Sequence, residues 1–310
     1  MRRKIALVGG GQIGQTLAML AAMKELGDVV LLDVAARENS VKGKALDLMA
    51  MAPHGNYDAE LTGTSDPRAI EGADVVIVTA GRPRDAGMTP RDLLDINSGV
   101  ITEVAGNVKR YAPEAFCIVI SNPLVEMVHR FYQVSGLPGR RVTGMAGTLD
   151  VARWRAFIAA ELGVSVEDVA GTILGGHGPD MLPLPRLTTV GGVPLIEIAT
   201  KEQIDRIVER TRGAGSEIMK LYGKGSAFFS PAWSAIAMAE SFIRDKRRVL
   251  ACMALCDGEY GIHGLFVGVP ALIGSKGVEK IYEISLTGEE RAELSRIADA
   301  VAKHVAECGI

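Results

Sequence analysis

Only four cysteines occur in the 310 residues, Cys117, Cys252, Cys256 and Cys308, and no two stand in a C-x-x-C spacing. Neither a zinc site nor a disulfide framework is indicated, and Cys117, inside an apolar run, reads as a small buried hydrophobe. Charge of one sign is equally scarce. The 34 basic and 37 acidic residues leave a formal charge of −3, scattered along the whole chain. No block of like charge is available to follow a phosphate backbone or a bilayer surface, which disfavours nucleic-acid and membrane partners. Long hydrophobic runs are missing too: none reaches the roughly 18 residues that a membrane helix needs. The start, Met1-Arg2-Arg3-Lys4 followed by apolar residues, resembles a signal peptide in outline, but the run breaks at Gly9-Gly10-Gly11 without a small-residue cleavage site. A soluble, cytoplasmic protein is expected. With no internal repeat, no disordered linker and 48% hydrophobic residues, two closely packed domains are expected, 1–145 and 146–310.

What is present is an alternation. In the first half, short β-branched runs at 4–8, 29–32, 60–63, 74–79, 116–120 and 141–143 are separated by longer helical patterns. That is the signature of βαβ units feeding one doubly wound parallel sheet of the Rossmann type. Val75-Val76-Ile77-Val78 lacks period-two alternation, as a strand covered on both faces should. The second half reads as α+β. Helices are expected at 148–162, 201–222, 231–244 and 288–308, strands at 170–174, 249–255 and 265–273, and a hairpin turn at Gly191-Gly192.

Gly9-Gly10-Gly11-Gln12-Ile13-Gly14 fits G-x-G-x-x-G, and its context makes the match specific: a strand precedes it, a helix opens within it, and a second strand ends in Asp33 about 20 residues on. Gly9 permits the tight turn, Gly11 lets the backbone approach a pyrophosphate, and Gly14 lets the helix pack on the strand. Gln12 and Ile13 begin the helix whose N-terminus faces the phosphates. Asp33 would accept hydrogen bonds from the adenosine ribose and repel a 2′-phosphate, so NAD is favoured over NADP.

His177 follows an apolar run in Gly175-Gly176-His177-Gly178, and a lone loop histidine is more often structural than catalytic. Asp150 and Arg153 change that balance. At i and i+3 of one helix they share a face, where a carboxylate can hold an imidazole and a guanidinium can grip a substrate carboxylate by two prongs.

These residues, together with Thr79-Ala80-Gly81, Arg84, Gly87-Met88, Asn97, Ser121-Asn122-Pro123, Gly144–Gly147, Gly225–Phe228 and Val267–Pro270, resemble the malate/lactate dehydrogenase family across essentially the whole chain. The pattern is most similar to the malate dehydrogenases that are lactate dehydrogenase-like in sequence. The resemblance implies an NAD-dependent oxidoreductase interconverting (S)-malate and oxaloacetate, a step of the tricarboxylic acid cycle, and a homotetramer or homodimer. It implies that His177 takes the hydroxyl proton with Asp150 as its partner, that Arg153 clamps the C1 carboxylate, and that Arg84 meets the distal one. Asn122 resembles a substrate contact that also borders the cofactor, Ile120 and Ser121 flank the nicotinamide ribose, and Asn97 resembles a further cofactor contact. A buried arginine without a partner is costly, so Arg84 argues for a dicarboxylate. No metal is called for.

The chain also departs from the family pattern. The loop arginine that polarises the substrate carbonyl is expected at position 90, where Pro90 stands, with Arg91 next. One helical position rotates a side chain by about 100°, so Arg91 or a water is the candidate replacement. Thr89-Pro90-Arg91-Asp92 itself reads as a capped helix start. Pro179 and Val125 replace usual acidic residues, and Trp233 stands where small residues border the substrate pocket, which it would narrow unless it packs elsewhere. Two other readings therefore stay open: a dehydrogenase of another 2-hydroxy acid, lactate-like, and an NAD-binding homologue with weakened catalysis.

Overall fold

The apolar runs of the first half form six strands: β1 (Lys4–Val8), β2 (Asp28–Leu32), β3 (Leu61–Thr64), β4 (Val75–Val78), β5 (Phe116–Val119) and β6 (Val142–Gly147). They alternate with α1 (Gln12–Met23), α2 (Glu38–Gly55), α3 (Pro90–Tyr111) and α4 (Leu124–Ser135), and β6 runs straight into α5 (Thr148–Leu162). The computed structural model describes residues 2–82, 89–223 and 225–309. Val75–Val78 and Phe116–Val119 are buried at every position, which explains their uninterrupted β-branched and aromatic composition. All pairings among β1–β6 are parallel, in the order β3-β2-β1-β4-β5-β6. The direction in which successive strands are added across the sheet reverses between β1 and β4, and in such sheets ligands settle in the crevice at the carboxyl ends of the strands flanking that reversal.

The second half continues the same sheet with antiparallel strands. It comprises β7 (Val169–Ala170), β8 (Ile173–Gly175), β9 (Met181–Pro183), β10 (Thr189–Val190), β11 (Val193–Pro194), α6 (Leu195–Ile198), α7 (Lys201–Tyr222), α8 (Phe229–Ile243), β12 (Arg248–Asp257), β13 (His263–Gly274), β14 (Gly277–Ile281) and α9 (Gly288–Glu307). β12 pairs antiparallel with β6, β13 with β12, β8 with β13 and β9 with β8. The expected strand at 170–174 is in fact two. Val169–Ala170 joins a small sheet with β10, while Ile173–Gly175 joins the main one, so the chain changes sheets at Gly171-Thr172. β10 and β11 are joined through Gly191-Gly192, both at positive φ (57° and 84°), the conformation a tight two-residue hairpin requires.

The main apolar core draws on both halves: Ile5, Leu17 and Leu31 pack in one cluster with Ala235, Phe242 and Val267. Glu240 of α8, almost fully buried, is bonded by Lys24, just past α1 (3.0 Å), Arg244 (3.2 Å) and Lys246 (2.7 Å). Trp233 packs elsewhere than in a pocket: it is 52% exposed on α8 with the Lys24 ammonium 5.6 Å from its ring centroid. Val125, the other hydrophobic departure, packs against the cluster formed by α4, β5 and their neighbours. Among the described residues no helix is long and apolar enough to cross a membrane.

Candidate active site

The loops after β1, β2, β4 and β5 all leave the same edge of the parallel sheet, and they carry Gly9–Gly14, Asp33, Thr79–Gly81 and Ile120–Asn122. Gly9 sits at φ 110°, which an L side chain rarely adopts. A Cβ on Gly14 would lie 2.0 Å from the Gly9 carbonyl, whereas one on Gly11 would meet nothing within 4 Å. The turn is thus tight where helix meets strand and open where it faces outward. Three side chains hold it. The Gly10 N–H donates to Asp33 Oδ2 (3.0 Å), Lys44 Nζ donates to the Gly10 carbonyl (2.5 Å), and Thr79 Oγ1 donates to the Gly9 carbonyl (2.9 Å). Behind the turn, Gln12 and Ile13 open α1, whose N-terminus has no side-chain cap and no acidic residue in its first turn. Uncapped N–H groups beside a side-chain-free surface are what a pyrophosphate requires, so the residues present fit a dinucleotide.

Ile120 is buried at the end of β5, and Ser121 donates its hydroxyl to the Ala80 carbonyl (2.6 Å), joining the ends of β4 and β5. Asn122 is exposed. Asn97, buried on α3, accepts from the Arg82 N–H (2.7 Å) and donates to the carbonyls of Arg82 (3.2 Å) and Asn122 (2.7 Å). Its amide spans the loop after β4 and the loop after β5. Arg84, with Gly87 and Met88, lies outside the described residues.

The second cluster is built where β6 turns into α5. Gly147, at φ 96°, caps α5, and its N–H donates to Asp150 Oδ2 (3.1 Å) from one turn back. The same oxygen accepts from His177 Nδ1 (3.0 Å), which arrives on the loop after β8. Asp150 is 0% exposed. Burial acts to raise its pKa, but the His177 charge and hydrogen bond, the Gly147 N–H and Arg153 together hold the carboxyl below its ordinary value. Burial likewise acts to lower the His177 pKa, and Asp150, by charge and hydrogen bond, outweighs it and holds the imidazole above the ordinary histidine range. Because Nδ1–H is committed to Asp150, Nε2 is the nitrogen left for chemistry.

Arg153 lies on the same face of α5, its Nη1 4.0 Å from Asp150 Oδ1. Burial lowers its pKa against the pull of Asp150. Asp150 Oδ1 and Arg153 Nε are buried and without hydrogen-bond partners, and a buried guanidinium in that condition is suited to an incoming carboxylate. Arg91 is not gathered in. It is 62% exposed at the start of α3 and bonds Asp95 one turn on (3.1 Å).

α7 connects the two clusters. A Cβ on Gly215 would stand 3.8 Å from Arg153 Nη1, and one on Gly225, just past the helix, 3.5 Å from Gln12 Oε1. At about 1.5 Å per residue, the seven residues from 215 to 222 rise about 10 Å, so one helix runs from the guanidinium toward the glycine turn.

The chain is similar to known proteins over its whole length. Residues 3–144 match the NAD binding domain of lactate/malate dehydrogenases, and residues 147–309 match their alpha/beta C-terminal domain. The chain belongs to the lactate/malate dehydrogenase family. Malate dehydrogenase 1 of Anaeromyxobacter dehalogenans (strain 2CP-C) is 56% identical over 308 residues, 99% of this chain and 98% of the relative. Among solved structures, the malate dehydrogenase of Cryptosporidium parvum superposes with a TM-score of 0.96 at 40% identity, covering 100% of this chain and 99% of that one. The lactate dehydrogenase of the same organism, solved with lactic acid and NAD, has an equal TM-score at 42% identity, covering 100% and 98%. Within this family the fold therefore does not choose the substrate; side chains do. Sequence reasoning passed over Lys44 and Gly215. Gly215 did leave a signal, since Gly213 and Gly215 interrupt an otherwise strong helix former, but Lys44 looked like one of many charges on α2.

Proposed function

We propose that this protein is an NAD-dependent malate dehydrogenase, interconverting (S)-malate and oxaloacetate. The observation that carries the reading is the hydrogen bond from half-buried His177 to buried Asp150, with buried Arg153 beside it. A base, its orienting carboxylate and an anion clamp are thereby assembled at one helix start. When bound, NAD takes up or returns the hydride. The residues of the chain manage the proton and the charges. In the oxidative direction His177 Nε2 accepts the substrate hydroxyl proton, and Asp150 stabilises the imidazolium formed. Arg153 clamps the carboxylate next to the reacting carbon, Arg84 the distal carboxylate, and Asn122 donates to the substrate from the loop after β5. Gly9, Gly11, Gly14 and the start of α1 hold the pyrophosphate and Asp33 the adenosine ribose. Ile120, Ser121 and Asn97 shape the nicotinamide end. Residues 1–145 thus carry the cofactor, and 146–310 the acid–base pair and the C1 clamp. Arg91 is the assignment the geometry supports least.

The dicarboxylate substrate is supported by Arg84 and by the malate dehydrogenase relative at 56% identity. The lactate-like reading has less behind it. A catalytically weakened homologue would have no need to keep His177, Asp150 and Arg153 together in a buried cluster. A homodimer or homotetramer in the cytoplasm, serving the tricarboxylic acid cycle, is the setting this reading implies. Its support is apolar surface: Leu46 and Met49 on α2, Met23 on α1, and Phe229 and Trp233 on α8 are all exposed.

The test is steady-state NADH oxidation with oxaloacetate, pyruvate and 2-oxobutyrate. Oxaloacetate should be preferred, and Arg84→Gln should reduce kcat/KM for oxaloacetate by about 100-fold while leaving pyruvate within a few-fold. Equal losses on both substrates would remove Arg84 from the distal carboxylate.

A further inference from the structure

Lys44 is the charged member of the three-side-chain clamp whose chemistry the dehydrogenase reading leaves unused. It sits on α2, three residues after Val41 and so on the same helix face. Val41 is fully buried against the glycine turn: a Cβ on Gly10 would fall 2.1 Å from Val41 Cγ1. A Cβ on Gly63 of β3 would fall 2.3 Å from the Val41 carbonyl. The helix is therefore pressed on the turn from one side and on the sheet from the other. That wedge delivers the Lys44 ammonium to the Gly10 carbonyl at 2.5 Å, with Asp33 holding the N–H of the same residue. Lys44 is partly buried, and burial lowers its pKa against the pull of Asp33. Its neighbour Lys42, by contrast, is exposed and paired with Glu38 (2.6 Å).

The consequence follows from peptide planarity. In a trans peptide the C=O of one residue and the N–H of the next point in opposite directions. Fixing the Gly10 carbonyl toward α2 fixes the Gly11 N–H away from it, and Gly11 has open space where a side chain would stand. We propose that Lys44 is a positioning residue of the cofactor site: by holding the Gly10 carbonyl it aims the Gly11 N–H at the pyrophosphate of NAD. The inference rests on the reading above, in which this turn holds the pyrophosphate. A glycine peptide has unusual freedom, and Asp33 and Lys44, one on each polar group of Gly10, remove it before the ligand arrives.

The experiment compares Lys44→Met and Lys44→Gln, which delete the ammonium, with Lys44→Arg, which keeps a charged donor. Lys42→Met removes the same charge from the exposed side of α2, and Asp33→Asn probes the site itself. NADH dissociation constants come from calorimetry, and kcat, the KM values and thermal midpoints are measured alongside. Lys44→Met or Lys44→Gln should weaken NADH by about ten- to hundredfold, Lys44→Arg by no more than about threefold, and Lys42→Met by less than about twofold. At saturating NADH, kcat and the oxaloacetate KM should hold. If Asp33→Asn weakens NADH and the Lys44 variants do not, the positioning role is wrong while the cofactor reading stands. If neither substitution changes NADH affinity, the cofactor reading fails and the role of Lys44 with it. Equal losses in kcat and thermal midpoint without a selective loss of NADH affinity would make Lys44 merely structural, which also overturns the proposal.

Discussion

Two strand-to-helix corners use one backbone device in opposite ways. β1 enters α1 through Gly11 and β6 enters α5 through Gly147, each a glycine at the helix cap. Elsewhere in the chain Thr89, Thr200 and Thr287 close the starts of α3, α7 and α9 with capping boxes. At α1 the first turn carries no acidic residue and the cap is open. At α5 the chain supplies its own anion, Asp150, on the Gly147 N–H. Both corners exploit the pull of a helix N-terminus on negative charge. One leaves that pull for a ligand; the other spends it on a buried carboxylate, which then holds His177. On the proposed reading, binding at the first corner comes from side chains that are missing, and acid–base power at the second from a carboxylate that is buried.

The largest effect should come from breaking the second corner alone. His177→Asn should lower kcat by about 10²- to 10⁴-fold while NADH binding stays within about twofold, because the imidazole belongs to the proton and not to the dinucleotide. Steady-state kinetics and NADH fluorescence titration measure the two; parallel losses would break the division. Asp150→Asn is subtler. Oxaloacetate reduction needs the imidazolium, so its rate falls as pH rises through the His177 pKa. Asp150 holds that pKa above the ordinary value, so losing its charge should move the falling limb of kcat/KM to lower pH. The cost near neutrality should be about 10- to 100-fold. A limb that stays in place would mean that Asp150 only orients the ring.

At the first corner, two glycines should respond in opposite ways. Gly14→Ala puts a methyl 2.0 Å from the Gly9 carbonyl and should cost about 1–3 kcal/mol of stability. Gly11→Ala meets nothing in the protein, so stability should hold within about 0.5 kcal/mol. On the proposed reading its methyl would intrude on the pyrophosphate, and NADH should bind about tenfold more weakly. Denaturation midpoints and NADH titrations separate the two, and a Gly11→Ala that binds NADH normally would remove the pyrophosphate from this turn.

Much of this was legible because it is local. β1 begins and ends where its apolar run does, α5 runs from Thr148 to Leu162 and α7 from Lys201 to Tyr222, as patterning and caps predict. The helix start at Thr89 carries its capping box. What was not legible depends on partners far away in the chain. Ile173–Gly175 leaves the small sheet because β13 offers a backbone edge, and nothing in residues 170–174 encodes that. β14, a short strand paired only with β13, left no signal for the same reason. Asp33 could be found because its spacing from Gly9–Gly14 recurs wherever the motif does. The Lys44 contact is a side chain on a backbone oxygen 34 residues away, and such a contact leaves no pattern in the chain. His177 and Asp150 were singled out separately, one by its glycine-rich loop and the other by its helical spacing to Arg153, and the resemblance paired them, since 27 residues and a change of sheet separate them.

Another histidine, more deeply buried than His177, sharpens the contrast. His129 of α4 is 4% exposed and has no carboxylate partner among the described residues. Its Nδ1–H donates to the Val125 carbonyl (2.7 Å), and Nε2 accepts from the Phe266 N–H (3.0 Å). Both contacts are satisfied only by the neutral ring, because a proton on Nε2 would face the Phe266 N–H. Burial lowers the pKa from 6.5, against the bond to Val125. With the folded pKa depressed, the unfolded chain binds the extra proton first. The contribution of His129 is therefore complete above about pH 6.5 and is lost as pH falls from there toward the folded pKa. His177 has the opposite sign: its raised pKa adds stability below the ordinary value, lost as pH rises through the folded one. Replacing His129 with Gln should cost about 1–3 kcal/mol near neutrality through the two hydrogen bonds. The gap from the parent should then narrow as pH falls from 7.5 to 5.5, read from urea midpoints at each pH. A gap that stays constant across that range would mean that His129 binds protons equally in the folded and the unfolded chain, and that its burial does not depress its pKa.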